Sequence, residues 1–367
     1  MIRPPIEPML AKPLGSTIPD NLVDSAFEPK WDGFRCLVFR DDTDQVILQG
    51  RGRSRGSADE VVDLAYAFPE VVAACLDQIP AGTVIDAEIV SAVDGKLDFG
   101  SLQARLRPRS EAGGTNIAKL AEALPASLLV FDVLWAAEDL QARPFRERRA
   151  LLESMSKSWK APVFLTPQTT DAKVALGWFD GFESAGVDGL IVKGLSDAYS
   201  PGKRTQGKVK HQRTADVVVA GWRPYARPGA GGADVVGSLL LGLYDDRGVL
   251  QHVGAASAFN AATRASLVEL LAPYEVGPDA DHPWRGTTGE RVPGEASRWK
   301  KEAPWRAVRP DLVAEVSYDQ LEGDRFRHVA GFVRWRPDRG PSTCGYDQLE
   351  SPIASQISDL VPALGSP

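Results

Sequence analysis

Only three of the 367 residues are cysteine and four are histidine. Cys36, Cys75 and Cys344 lie far apart and are odd in number, which suits neither a disulfide framework nor a thiolate metal site. His211, His252, His282 and His328 show no ligand spacing with one another or with cysteine. Such sparing use of thiols points to a reducing cytosol. No stretch approaches the roughly 18 consecutive apolar residues of a membrane span. The start, Met1-Ile2-Arg3-Pro4-Pro5, lacks the apolar core of a secretory leader. No Walker A sequence occurs, and no GxGxxG follows a strand and opens a helix, so any nucleotide is held by another architecture. Internal repeats and low-complexity segments are missing too.

The chain does carry enough apolar sequence, 43%, for ordinary globular cores, and its length suits two domains. A net charge of −7 hides an asymmetry: residues 1–198 hold 21 basic and 29 acidic side chains, residues 199–367 hold 21 and 20. In the second part the basic residues gather in three places. These are Lys203, Arg204, Lys208, Lys210 and Arg213, then Arg298, Lys300, Lys301, Arg306 and Arg309, then Arg325, Arg327, Arg334, Arg336 and Arg339. An acidic protein can bind a polyanion through local surfaces of this kind, although any one cluster is more often solvated surface.

Short alternating strands dominate the first part: 35–40, 83–90 with a turn at Asp94-Gly95, the apolar run 128–135, and 188–193. Helical patterns cover about 59–79, 144–158 and 171–185. Past about 210 come further strands at 216–222, 312–318 and 332–335, a hairpin over 237–256 turning at 245–248, and a helix at about 261–272. Residues 275–297 read as a loop. This pattern predicts an α+β protein: a domain of antiparallel sheets over 1–210, then a small β-barrel of the oligonucleotide-binding kind over 211–367.

The most informative stretch is Glu28-Pro29-Lys30-Trp31-Asp32-Gly33-Phe34-Arg35. It puts a lysine on a turn that feeds a strand, where a scaffold can hold it. An amine must shed its proton before it attacks, and neighbouring cations or a bound metal favour that. The bland alternative, a solvated lysine beside a turn glycine, stands at even odds on these eight residues. Asp86 and Glu88 alternate on one strand and share a face, costly among apolar neighbours unless cations meet them. Phe131 alone reads as a core aromatic, Asp188 as a turn residue, and Lys208 with Lys210 as an edge that resists aggregation.

Their order is more telling than any one of them. Glu28 to Arg35, Arg51, Asp86-Ala87-Glu88, Phe131-Asp132, Asp188-Gly189-Leu190-Ile191-Val192-Lys193, Lys208-Val209-Lys210 and Arg336-Pro337-Asp338-Arg339 follow one another as in the covalent nucleotidyltransferases. The set most closely resembles the ATP-dependent DNA ligases. Pro8-Met9-Leu10-Ala11 also looks like the start of the short two-domain bacterial C-type ligases, and the resemblance spans about residues 5 to 340.

The resemblance implies an adenylation (nucleotidyltransferase) domain followed by an oligonucleotide-binding fold. It implies an enzyme that seals 5′-phosphate/3′-hydroxyl nicks in double-stranded DNA through AMP carried on Lys30 and then on the DNA. It implies that Lys208 and Lys210 contact the α-phosphate and that Asp188, with Glu88, holds Mg²⁺ or Mn²⁺. Glu88 would also bond ribose, and Phe131 would stack on adenine beside Glu28. Arg35 and Arg51 would grip ribose and the nick phosphate, while Lys193 and Arg204 complete the ATP site. Arg336, Asp338 and Arg339 would orient pyrophosphate. A monomer off the membrane, serving DNA repair with separate polymerase or end-joining partners, follows from the same likeness.

Three positions depart from the family pattern. Asp188 stands where glutamate is usual, Arg339 where lysine is usual, and Gln206-Gly207 where a tryptophan often precedes the paired lysines. Arg53 and Arg55 compete with Arg51 for the phosphate role. An RNA ligase, an RNA-capping guanylyltransferase and a non-catalytic DNA-binding relative are the alternatives.

Overall fold

The computed structural model describes residues 1–53, 61–106, 114–226, 234–285, 293, 304–349 and 355–364. Arg55 and the basic residues Arg298, Lys300 and Lys301 lie outside them, as does the side chain of Arg53. The chain divides into two compact units, Met1–Lys210 with Pro352–Pro367, and His211–Ser351. The described residues 355–364, assigned to the second domain from sequence, thus pack with the first.

Two sheets build the first unit. The larger has the order Val163–Leu165, Ala126–Ala136, Thr83–Val93, Phe34–Arg40, Val46–Arg53, Val61–Asp63. The smaller has the order Leu10–Gly15, Arg204–Val209, Leu190–Gly194, Ser25–Pro29. The Asp94-Gly95 turn forms as read: Val93 pairs with Lys96, and both turn residues have positive φ, 51° and 74°. The central strands alternate little in burial, since apolar side chains cover both faces. One core takes Cys36, Val38, Ile85, Ala87 and Val130 against the Pro69–Gln78 helix; another takes Leu37, Phe39, Val84 and Leu134.

The expectation of purely antiparallel sheets needs correction. Leu10–Gly15 runs parallel to Arg204–Val209, Val163–Leu165 runs parallel to Ala126–Ala136, and Leu250–Ser257 runs parallel to Ala330–Trp335. A parallel pair needs a long connection instead of a tight turn, so no local signal marks it. Helices form at Phe145–Met155, Ala172–Gly181 and Ala261–Leu271, close to the periodic stretches. The stretch expected to be helical from 59 becomes the strand Val61–Asp63 before the Pro69–Gln78 helix.

In the second unit the strands Arg213–Pro224, Val236–Tyr244, Leu250–Ser257, Ala330–Trp335 and Arg306–Tyr318 pair in that order, and the last pairs back with the first. Trp222, Leu239, Leu241, Val253 and Val316 fill its interior. Among the described residues no helix is long and apolar enough to cross a membrane.

Candidate active site

Lys30 sits between the strands Ser25–Pro29 and Phe34–Arg40, as the sequence implied. Its own backbone is zipped to the loop before Leu190–Gly194. The Lys30 N–H donates to Gly189 O at 2.9 Å, and the Asp188 N–H donates to Lys30 O at 2.8 Å. Two glycines let this segment pack closely on the neighbouring strands. A Cβ on Gly33 would lie 2.2 Å from Ile89 O, and one on Gly189, at φ +108°, would lie 2.1 Å from Val209 O. Behind the loop, Trp31 and Val187 share a cluster with Ile357, Val361 and Leu364, and the Ile357 N–H donates to Gly95 O at 2.7 Å.

The Lys30 ammonium donates to Asp188 Oδ2, and Lys210 Nζ lies 2.8 Å from the same oxygen. Burial alone would raise the Asp188 carboxyl; the ammoniums of Lys30 and Lys210 outweigh it and hold the group below the usual range. Lys208 is lowered, first by burial and then by Lys210 and Lys30. Three lysines and one aspartate therefore meet beside a cleft of about 210 Å³. Lys30, Lys208, Glu28, Glu88 and Phe131 line it, with Arg35, Arg51, Lys193 and Arg204.

Burial shifts both acids that line the cleft in the same direction. Burial raises Glu88 to about 7, against the pull of Arg35 and Lys30. Burial also raises Glu28, opposed by Lys193, whose Nζ lies 2.6 Å from Glu28 Oε2. The same burial lowers Lys193, which donates to Phe131 O at 3.0 Å and stands 4.8 Å from the centre of the Phe131 ring. Arg35 approaches that ring too, at 4.6 Å, and donates twice to Asp86. Burial works against the Arg35 charge, but Asp86 more than restores it, so its proton is held even more firmly than usual.

In the barrel unit Arg336 Nη1 donates to Asp216 Oδ1 at 2.9 Å, and Arg336 Nη2 donates to Asp338 Oδ2 at 2.7 Å. Arg339 Nε lies 3.1 Å from Asp216 Oδ2. Hydrogen bonding from Arg336 carries Asp338 down to about 2. Asp216 is thus a shared anchor for both terminal arginines.

Comparison with known proteins decides what this arrangement belongs to. The ATP dependent DNA ligase domain matches residues 8–211, and the ATP dependent DNA ligase C terminal region matches residues 232–339. The DNA ligase C of Mycobacterium tuberculosis is 44% identical over 99% of each chain. The chain belongs to the ATP-dependent DNA ligases. The DNA ligase C2 of Mycolicibacterium smegmatis is 45% identical over 96% of each chain. A solved structure from a study of Lig E DNA ligases overlays with a TM-score of 0.51 at 17% identity, covering 89% of this chain and 99% of its own, which speaks to the fold alone.

The ligase is therefore an enzyme that uses ATP and acts on DNA. Sequence reasoning missed several residues that shape its cleft. Tyr199 bonds Asp86, Arg149 donates to Thr166 O at 2.9 Å and faces Glu28 at 3.7 Å, and Trp31 donates to Thr166 Oγ1 at 3.0 Å. No local pattern marks Tyr199 or Thr166, because each acts through long-range contacts. Among the described residues no three acids, histidines or cysteines gather as a metal site. Mg²⁺ and Mn²⁺ take one or two carboxylates and complete their shell with water and phosphate oxygens, a donor chemistry that Asp188 and Glu88 share.

Proposed function

We propose that the ligase seals 5′-phosphate/3′-hydroxyl nicks in duplex DNA through AMP bound to Lys30. The observation that carries this is the Lys30 amine beside Asp188, Lys208 and Lys210 at the mouth of a cleft lined by Phe131 and Glu88. Lys30 Nζ attacks the α-phosphorus of ATP as the free amine; the P–N bond forms, the bond to the bridging oxygen breaks, and pyrophosphate leaves. A 5′-phosphate oxygen of the nick then takes AMP from Lys30. Finally the 3′-hydroxyl attacks that 5′-phosphorus, and AMP departs as the phosphodiester closes.

Phosphoryl transfer of this kind depends on positioning and on charge placed where it develops. Lys208 and Lys210 neutralise the α-phosphate, Glu88 bonds ribose, and Phe131 offers a flat face to adenine next to Glu28. Arg35 and Arg51 grip ribose or the nick phosphate, since a guanidinium fork suits phosphate oxygens. Arg204 adds a further contact to the nucleotide. Lys193 neutralises buried Glu28 and fixes Phe131 through its carbonyl. Mg²⁺ or Mn²⁺, held by Asp188 and Glu88, would supply charge neutralisation of the phosphates. The barrel unit is an oligonucleotide-binding fold whose Arg336, Asp338 and Arg339 orient pyrophosphate. The protein serves DNA repair in the cytosol as a monomer beside separate polymerase or end-joining proteins.

The test is to incubate the protein with labelled ATP, GTP or NAD and a divalent ion, then denature it and look for label on the chain. We expect label from ATP, and none in Lys30→Ala. Labelling by GTP alone would place the chain with capping enzymes instead.

A further inference from the structure

We propose that Tyr199 is a positioning residue, its hydroxyl holding both Arg35 and the N-terminal wall of the cleft in place. Tyr199 lies between the Leu190–Gly194 and Arg204–Val209 strands and is 4% exposed. Its hydroxyl donates to Asp86 Oδ2 at 2.6 Å and accepts the Met9 N–H at 3.0 Å. Asp86 is fully buried and accepts two hydrogen bonds from Arg35. Arg35 Nη2 donates in turn to Met9 O at 3.3 Å.

The four residues thus close a ring: Arg35 to Asp86, Asp86 to Tyr199, Tyr199 to Met9, and Met9 back to Arg35. Met9 and Tyr199 are 190 residues apart, so the ring is a tertiary device, not a local turn. A second contact fastens the same corner, because the Ser200 N–H points at Met9 Sδ at 3.2 Å. Tyr199 is itself pinned by its N–H, which donates to Gln141 O at 2.8 Å.

The ring matters because both of its ends face the cleft. Arg35 lines one side, and Pro8, Met9, Leu10 and Ala11 line another. A long arginine side chain has many rotamers, and holding one of them costs entropy that must be met before the ligand arrives. Asp86 alone could hold the guanidinium, but it too must be aimed. Tyr199 does the aiming, and it gives the Met9 N–H a partner that water cannot reach. Removing the hydroxyl leaves one carboxylate oxygen short of a donor and one buried N–H without an acceptor.

This rests on the reading of Arg35 as a ligand of ribose or of the nick phosphate, so the experiment tests the two separately. Single-turnover self-adenylation and sealing of a pre-adenylated nick are measured in the full chain for Tyr199→Phe, Arg35→Ala and the double variant. For Tyr199→Phe we expect a modestly lowered thermal transition, since a buried N–H loses its acceptor, and in the folded protein a drop of about tenfold in at least one step, the size of one buried hydrogen bond left unmade. In the Arg35→Ala background the same change should add less than twofold, because residues that act through one another are not additive. An equal factor in both backgrounds overturns the proposal, as does a lowered transition temperature with unchanged rates. Full activity in Arg35→Ala sinks the reading of Arg35 itself. Lost activity in Arg35→Ala with none lost in Tyr199→Phe sinks the role of Tyr199 alone.

Discussion

Arg35 in the first unit and Arg336 in the barrel are each held by an aspartate, yet the two aspartates live in different solvents. Asp86 has no exposed side chain, whereas Asp216 keeps 13% and shares Arg336 with Asp338, which is 62% exposed. Arg35 bonds a buried carboxylate and a backbone carbonyl, and the carboxylate is itself fixed by a phenol. Around Arg336 one acid, Asp338, is open to water, so that contact can be exchanged for phosphate oxygens at small cost. The lesson is that one arginine is built to stay and the other to let go. The proposed roles ask for that difference: a grip kept throughout in the first case and a contact made for one step in the second.

The sharpest way to break the comparison is Asp86→Ala. It leaves the Arg35 charge and the Tyr199 hydroxyl facing a void, and stripping one partner from a buried pair costs about 3–5 kcal/mol. We expect a loss of that size in urea denaturation; no loss would mean that water already reaches Asp86. Next comes Arg336→Ala. Self-adenylation should fall by roughly a hundredfold, as when one charge-stabilising donor is removed, while a pre-adenylated nick is still sealed and the denaturation midpoint stays put. Equal loss in both reactions would contradict the one-step role.

A smaller effect belongs to Glu88. Folding raises its carboxyl from 4.5 to about 7, so across that interval the folded protein keeps a proton that the unfolded chain has released. The stabilising contribution is complete below about 4.5 and is lost as pH climbs through 7. Glu88→Gln should flatten that decline by about 2 kcal/mol, read from stability measured at pH 5 and pH 8; an unchanged slope would assign the decline to other groups. Least of all should follow from Arg339→Lys. It keeps the charge beside Asp216 and loses only the fork, and we expect self-adenylation within about threefold of the parent. A larger loss would make Arg339 more like Arg35 than like Arg336.

Much of this was legible before any coordinates. The strand at 34–40, the turn at Asp94-Gly95 and the shared face of Asp86 and Glu88 all follow from period-two patterning and turn chemistry. Lys30 stood out because a lysine, a glycine and an arginine at that spacing join a loop to a strand. Three things stayed hidden. The parallel pairing of Leu10–Gly15 with Arg204–Val209 joins opposite ends of a unit, and nothing local encodes it. The Phe99–Arg105 helix is too short for its periodicity to show, although Asp98 caps it by accepting the Gly100 N–H. Tyr199 was invisible because its hydroxyl acts on residues far away in sequence.

The packing of Ile357, Val361 and Leu364 against Trp31 and Val187 has a practical consequence. Those two residues are the immediate neighbours of Lys30 and Asp188, so residues 357–364 pack on the back of the loop whose front carries that ion pair. A purification tag or a deletion that disturbs residues 357–364 would work as a remote mutation of the Lys30 loop. It would alter the rate of the enzyme without touching a residue that meets ATP.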